Sequence, residues 1–530
     1  MSDTRTSVMD VMAWLRATVP AALDGAHHLQ LDSRRVAPGD VFVAVPGVVP
    51  GRSADGRDYV RAAAALGAAA VLVEADGCTP VDVGLPVLPV PGLRRLVGPL
   101  AASFYGRPSE KLTAIGVTGT NGKTSSTQWI AQLLTLEGLR CGVIGTVGSG
   151  FPGSSFAGAA LTTPDAIALQ REVRALLDEG ARAVALEVSS IGLDQGRVDG
   201  MSFDIALFTN LTRDHLDYHG TLERYEAAKA RLFDWPTLSH AVLNLDDAAG
   251  QRLAARLAQR GGVRVIGFTA RGATAPVPLA LRLSAHAVRA TATGLRFEVD
   301  DGARRVDVAV PLVGAFNVSN LLGVLGVAIA AGIALERACE ALPHLAPPPG
   351  RMQRVGGDGT PLAVVDYAHT PDALEQALVA LAPLAQARGG RLWVVFGAGG
   401  DRDPGKRAPM GEAAARVADR VVITSDNPRT EAPEAIVEAI ARGVPAERAA
   451  RVERIVDRAA AIAHALGVAD AADVVLIAGK GHEDYQDIGG VKRPFSDADH
   501  ARAALARRGA AAGACGGPDA GPRSATGAAA

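Results

Sequence analysis

The sequence predicts an α/β protein of three domains. A central domain carries a P-loop-type parallel or mixed sheet, a Rossmann-like α/β domain follows it, and a smaller α/β domain precedes it. Three observations lead there. The chain has 530 residues, too many for one hydrophobic core. Short apolar runs alternate with helical stretches in two successive sets, the pattern of parallel strands joined by crossover helices. The first strand of the first set runs into Gly116-Val-Thr-Gly-Thr-Asn-Gly-Lys-Thr-Ser125, a Gly-rich turn opening a helix, which is a phosphate cradle.

Residues 1–108 mix β-rich runs (Val41–Val45, Ala70–Glu74, Val87–Val90) with an Ala-rich helix at Tyr59–Ala68, and Gly106-Arg107-Pro108 reads as a linker. From 109 to 345 the strands are Leu112–Val117, Ala183–Val188, Ile205–Asn210 and Ala241–Asn244, with helices between them, including Leu222–Phe233. Leu321–Leu335 reads as one closely packed buried helix, too short for a bilayer. Pro347-Pro348-Pro349-Gly350 marks the next boundary. The second set, from 346 to 506, contains Leu362–Asp366, Leu392–Phe396, Arg420–Thr424 and Asp473–Ala478. Each strand ends in a polar or Gly-rich loop, where open α/β sheets place their sites. Residues 507–530 are Ala, Gly, Pro and Arg without apolar period, and disorder is expected there.

A net charge of −2 argues against general nucleic-acid or membrane-surface binding. Cys78, Cys141, Cys339 and Cys515 have no metal or disulfide spacing, which fits a reducing cytoplasm. The first ten residues contain no apolar signal core.

In the cradle, backbone amides face phosphate oxygens, Lys123 supplies a positive charge, and the Thr124 hydroxyl can hold Mg²⁺. The spacing is a variant, with glycines at 116, 119 and 122. Glu187 ends a central strand, where a carboxylate needs a partner or a metal; the alternative is a salt bridge beside a helix cap at Ser189 or Ser190. Thr209–Gly220 packs Asp and His densely after a strand, as a phosphate- or metal-facing loop would, although such residues also populate ordinary surface loops. Lys229 reads as a snorkelling surface lysine. Asp366 is suited to a ribose hydroxyl or to an Asx-turn. Arg402, Arg429 and Glu483 lie at strand-to-helix loops of one sheet. They suit a ligand with carboxylates and an ammonium, the alternative being surface ion pairs.

Taken in order, these blocks resemble the Mur ligases of peptidoglycan synthesis, and among them the diaminopimelate-adding branch. The blocks are Asp32-Ser33-Arg34 with Pro38-Gly39-Asp40, Gly119–Thr124, Thr162-Thr163-Pro164, Glu187–Ser190 and Asp214–His219. Then come Tyr225–Lys229, Gly350-Arg351-Met352, Asp366–Pro371, Asp426–Arg429 and Gly479–Glu483. The resemblance implies a cytoplasmic, ATP-dependent amide ligase, expected to be a monomer, with ATP, a UDP-muramoyl dipeptide and meso-diaminopimelate as substrates and Mg²⁺ as cofactor. It implies that Leu31 and Ser33 hold the uridine end. Gly119, Thr120, Asn121, Gly122, Lys123, Thr124, Ser125, Asn317, Asn320, Arg351 and Asp366 hold ATP. Thr162, Thr163, Ser189, Gln195 and Arg197 line the muramoyl-peptide site. Arg402, Asp426, Asn427, Pro428, Arg429, Gly479 and Glu483 bind the incoming amine.

The resemblance also makes Lys123, Glu187, His215, Lys229 and Arg351 catalytic. Thr124, Glu187 and His215 serve the metal together with Lys229, which matches a lysine carbamylated in the family (N6-carboxylysine). That replaces the surface reading of Lys229. Two positions depart from the family pattern: Ile191 stands where His is usual, and Gly196 where a polar residue is frequent. The rival readings are a lysine-adding or folylpolyglutamate-type ligase, and a P-loop regulatory ATPase that needs no amine acceptor.

Overall fold

The computed structural model describes residues 7–47, 54–77, 82–154, 156 and 161–514, with the side chains of 509–514 excepted. Cys78, Cys515 and residues 516–530 lie outside them. The chain divides into two compact units. One comprises Met1–Arg289, Arg296–Pro311 and Phe316–Ala346; the other comprises Ala290–Leu295, Leu312–Ala315 and Pro347–Ala530.

The first unit holds two sheets. Its N-terminal sheet is four parallel strands, Leu29–Gln30, Val41–Ala44, Ala70–Glu74 and Val87–Val90. Val41–Ala44 and Ala70–Glu74 are buried throughout, so they read as unbroken apolar runs. The buried Glu74 carboxylate accepts from the amides of Gly92 (2.8 Å) and Arg94 (3.1 Å), capping helix Leu93–Phe104. Ala166 and Ile167 of helix Ala166–Asp178 complete the core of this sheet, which ties it to the central one.

The central sheet has ten strands. Thr113–Thr118 lies at its heart, parallel to Ala183–Glu187 on one side and Ile205–Phe208 on the other. Cys141–Gly145 follows beyond Ala183–Glu187, also parallel. The C-terminal ends of these four strands therefore open on one edge. Leu281–Thr291, Gly294–Asp300 and Arg305–Val310 extend the far side and were not anticipated from sequence. The stretch read as one buried helix is two helices, Phe316–Ala330 and Leu335–Ala341, broken by Gly332 at φ +92°. The helix expected over Leu222–Phe233 is α-helical only over Leu222–Ala230, and Arg231–Asp234 tightens into a 3₁₀ turn.

The second unit carries a six-stranded sheet in the order Gln353–Gly356, Leu362–Asp366, Val474–Ala478, Leu392–Phe396, Arg420–Ile423 and Val452–Arg454. It is parallel except at the first edge. A hairpin, Tyr485–Ile488 with Val491–Pro494, stands beside it and bridges to Arg429. Under the loops, Arg458 and Asp497 form a fully buried ion pair at 2.7 Å. Arg458 also donates to the carbonyls of Ser425 (3.2 Å) and Ala478 (3.0 Å), pinning two strand ends. The last helix runs Asp497–Ala514, so order continues past residue 507, contrary to expectation. The cause is tertiary: Ala501, Ala504 and Leu505 join the sheet's core, and Arg508 donates to the carbonyls of Leu466, Gly467 and Ala469. Among the described residues no helix is long and apolar enough to cross a membrane.

Candidate functional site

The cradle follows from the central strand. Gly122 takes φ +84° and opens helix Lys123–Leu136. A side chain there would be strained, and its Cβ would collide with Asn320 Oδ1. Asn320 in turn donates to Asn317 Oδ1 (3.0 Å), so Asn320 sits against the loop with Asn317 behind it, both buried. The loop is latched to the end of the neighbouring strand. Thr209 Oγ1 donates to Asn121 O (2.6 Å), Asn210 Oδ1 accepts from Asn121 N (2.9 Å), and Thr120 N donates to Asn210 O (2.8 Å). Thr120 Oγ1 lies 3.2 Å from the Tyr225 hydroxyl.

Glu187 is 1% exposed. Its Oε2 accepts from the Thr124 hydroxyl at 3.0 Å, and its Oε1 accepts from Thr146 N at 2.8 Å. Of the alternative read from sequence, the helix cap is present at Ser189, while the Glu187 carboxylate itself is held by hydrogen bonds from Thr124 and Thr146. Burial pushes its carboxyl above the usual range, opposed by the charge of Lys123 and by these hydrogen bonds. Thr146 was not anticipated. Its signal is the register: Ile144 pairs with Leu186, so the residues just beyond meet Glu187, and Gly145 leaves room for the carboxylate.

Lys229 is 2% exposed, which corrects its reading as a surface lysine. Helix Leu222–Ala230 turns it inward, where Nζ donates to Gly119 O (2.7 Å) and stands 4.3 Å from the Tyr225 ring centre. Lys123 Nζ donates to the same Gly119 O (2.8 Å) and to Thr120 O (2.7 Å). Burial, with Lys123 adding like charge, lowers the Lys229 amine from 10.5 to about 6. At neutral pH it is therefore mostly uncharged.

His215 is less enclosed. Its side chain is 46% exposed, 3.6 Å from Asp214, and its ring lies edge-on to Tyr225 at 6.1 Å. Among the described residues no group of three or more His, Cys, Asp or Glu side chains could hold a metal ion. The expected set adds the Thr124 hydroxyl and a modified Lys229 to Glu187 and His215. Thr124 and Glu187, already in contact, are the hard oxygen donors that Mg²⁺ prefers.

The five residues expected around the muramoyl peptide come together. Thr163 Oγ1 donates toward Glu187 O (2.8 Å) and lies 3.0 Å from Ser189 Oγ, which caps helix Ser190–Asp194. Thr162 meets Thr146 at 3.1 Å. Arg197 is held by Gln195 Oε1 (2.6 Å) and Thr163 O (3.0 Å). At the N-terminal sheet, Ser33 is buried at the start of a 3₁₀ turn capped by Asp32, and Leu31 packs beside that core. The Pro38-Gly39-Asp40 block is a structural turn: buried Asp40 accepts from His28 N (2.8 Å), Gln30 Nε2 (3.0 Å) and Ala37 N (3.1 Å).

In the second unit, Asp366 accepts from Met352 N and Ala368 N, both at 2.9 Å, so its carboxylate forms the Asx-turn and organises the preceding loop. Burial raises its carboxyl. The Arg351 guanidinium stacks on Tyr367 at 4.8 Å from the ring centre, its Nε buried without a partner.

The loops expected to bind the incoming amine also converge. Arg429 sits at φ +51° and donates to Gly400 O (2.6 Å), and a Cβ on Gly399 would touch both Arg429 and Arg402. Gly400 N donates to Asn427 O (2.9 Å), and a Cβ on Gly400 would collide with Pro428 O. Asn427 Nδ2 donates to Glu483 Oε2 (2.8 Å). Asp426 is buried against Gly479, where no Cβ fits. Lys480, overlooked in the sequence, is fully buried in this cluster.

Three family models match the chain: "Mur ligase family, catalytic domain" over residues 25–105, "Mur ligase middle domain" over 117–328, and "Mur ligase, glutamate ligase domain" over 350–481. A UDP-N-acetylmuramoyl-L-alanyl-D-glutamate–2,6-diaminopimelate ligase of Ralstonia nicotianae is 56% identical over 94% of this chain and 96% of its own length. The ligase of that name from a Janthinobacterium species is 48% identical, covering 95% and 98%. A solved structure of a ligase with the same name superposes with a TM-score of 0.66 at 38% identity, covering 91% of this chain and 95% of that one.

Proposed function

The chain belongs to the Mur ligase family, and on that premise we propose how its loop clusters divide the reaction. It is an ATP-dependent ligase of peptidoglycan precursor synthesis, joining 2,6-diaminopimelate to UDP-N-acetylmuramoyl-L-alanyl-D-glutamate. The observation that carries the division is chemical. The first unit gathers the cradle, Glu187 and Lys229, whereas the second gathers guanidinium groups and a carboxylate suited to an amino acid.

In the first step the D-glutamate γ-carboxylate attacks the γ-phosphorus of ATP, and ADP leaves behind an acyl phosphate. Amides of Gly119–Ser125 take the phosphates, and Lys123 exchanges its two loop carbonyls for phosphate oxygens. Thr162, Thr163, Ser189, Gln195 and Arg197 orient the muramoyl peptide, and Leu31 and Ser33 its uridine end. Thr124, Glu187, His215 and a carbamylated Lys229 would hold Mg²⁺, which supplies positive charge against the repulsion between carboxylate and triphosphate. In the second step the amine attacks the acyl carbonyl, phosphate leaves, and the new amide nitrogen releases its proton to solvent. Both ATP and the UDP-linked acceptor are cytoplasmic metabolites, so we place the reaction there.

Phosphate release from ATP with the UDP-muramoyl dipeptide tests this reading. Release is expected with meso-diaminopimelate, much less with lysine, and none without an amine. Release without any amine would instead make the protein a hydrolase. Acceptor choice follows from Arg429, which lysine, lacking the distal carboxylate, would leave unpaired. Arg429→Ala is expected to raise the KM for diaminopimelate about tenfold, a loss of about 1.4 kcal/mol. An unchanged KM refutes that assignment.

A further inference from the structure

We infer that Lys480 is a positioning residue for acceptor selection, acting through Asn427 and Glu483. The inference rests on the proposed function, with Glu483, the carboxylate of the Arg402, Arg429 and Glu483 cluster, taken as the partner of the acceptor's distal ammonium. Lys480 has no exposed side-chain surface, so its amine must be satisfied inside the protein. Nζ donates to Asn427 Oδ1 at 2.9 Å and to Glu483 Oε2 at 3.2 Å.

The Asn427 amide then has one workable orientation. Its Oδ1 accepts from two donors, Lys480 Nζ and the Asp487 amide at 3.0 Å. Its Nδ2 is thereby aimed at Glu483 Oε2, 2.8 Å away. Turning the amide over would set NH₂ against two donors. Glu483 Oε2 thus receives two hydrogen bonds from groups that a ligand does not displace. Its Oε1 receives none among the described residues, and its side chain is 21% exposed. One oxygen is anchored and the other faces the acceptor. The buried ammonium also balances a carboxylate that would otherwise stand with Asp426 and Asp487 in one loop cluster.

The ammonium therefore meets a carboxylate already fixed in direction, with no ordering cost left to the ligand. Lys480 does not touch the acceptor; it sets the rotamer that does. The test compares kcat/KM for meso-diaminopimelate and for 2-aminopimelate, which keeps both carboxylates and lacks the distal amine. In full-length Lys480→Met the preference for diaminopimelate is expected to fall about tenfold, through KM. The KM values for ATP and the muramoyl dipeptide should be unchanged, and Lys480→Arg should recover part of the preference. Equal losses for both acceptors, or an unchanged preference, overturn the proposal. If Lys480→Met does not yield folded enzyme, Lys480→Gln, which keeps a donor to Asn427 without the charge, carries the same expectation. Glu483→Gln separates the two layers. If it leaves the preference intact, the ammonium assignment itself is wrong, whatever Lys480 does.

Discussion

Lys229→Ala is expected to lower kcat by roughly 100-fold or more, the scale of removing an electrostatic group from a transition-state site, and short carboxylic acids should restore part of it. The expectation starts from burial. An amine held near neutrality at pH 7, with a pKa of about 6, keeps its lone pair. That lone pair can add to the carbon of CO₂, the nitrogen then releasing a proton, to leave an N-carboxylate where an ammonium cannot form cheaply. The product would be an anion beside the Lys123 ammonium, in place of a neutral amine that shares one carbonyl with it. Acetate or formate diffusing into the space vacated in Lys229→Ala would supply the missing oxygens. Full activity in the variant, without additives, would sink the idea.

The same shift has a sign in stability. Folded Lys229 titrates below its ordinary value, so between pH 10.5 and about 6 the unfolded chain holds a proton that the folded chain lacks. The folded state therefore loses ground as pH falls through that window. Lys229→Met should flatten this slope in denaturant titrations.

The second large effect is structural. Arg458→Met is expected to destabilise the second unit by about 3–5 kcal/mol, because it leaves the Asp497 carboxylate buried and unpaired. It also frees the carbonyls of Ser425 and Ala478, which Arg458 holds. Hydrogen exchange in the full chain reads the effect locally. Strands Arg420–Ile423 and Val474–Ala478 should lose protection, while Thr113–Thr118 keeps it. Pairing the change with Asp497→Leu should restore most of the loss, since an apolar pair no longer buries a lone charge. Protection unchanged in Arg458→Met would refute the clamp.

Much of this was legible in the chain. Parallel strands covered on both faces leave unbroken apolar runs, so Leu362–Asp366 and Leu392–Phe396 were read with their boundaries intact. The loops after them follow from sheet geometry. What escaped depends on distant partners. Lys480 looks like any lysine until the elements above it are placed, and Lys229 stood out only through the family resemblance. Thr146 meets Glu187 only through strand register. Arg458 and Asp497 are 39 residues apart, and neither neighbourhood announces a buried charge. Gly332 was passed over inside an apolar stretch because hydrophobicity alone does not reveal a helix end.

Gly119 O accepts from both Lys123 and Lys229. A carbonyl with two strong donors vibrates at lower frequency than one with a single donor or none. Isotopic labelling of that one peptide group would therefore give an infrared band that reports the loop's state without turnover. Nucleotide arrival, drawing Lys123 away, and modification of Lys229 would each move the band upward, and the two shifts could be counted separately. The peptide between Gly119 and Thr120 is in this sense a built-in gauge of how far the enzyme has been readied for its first substrate.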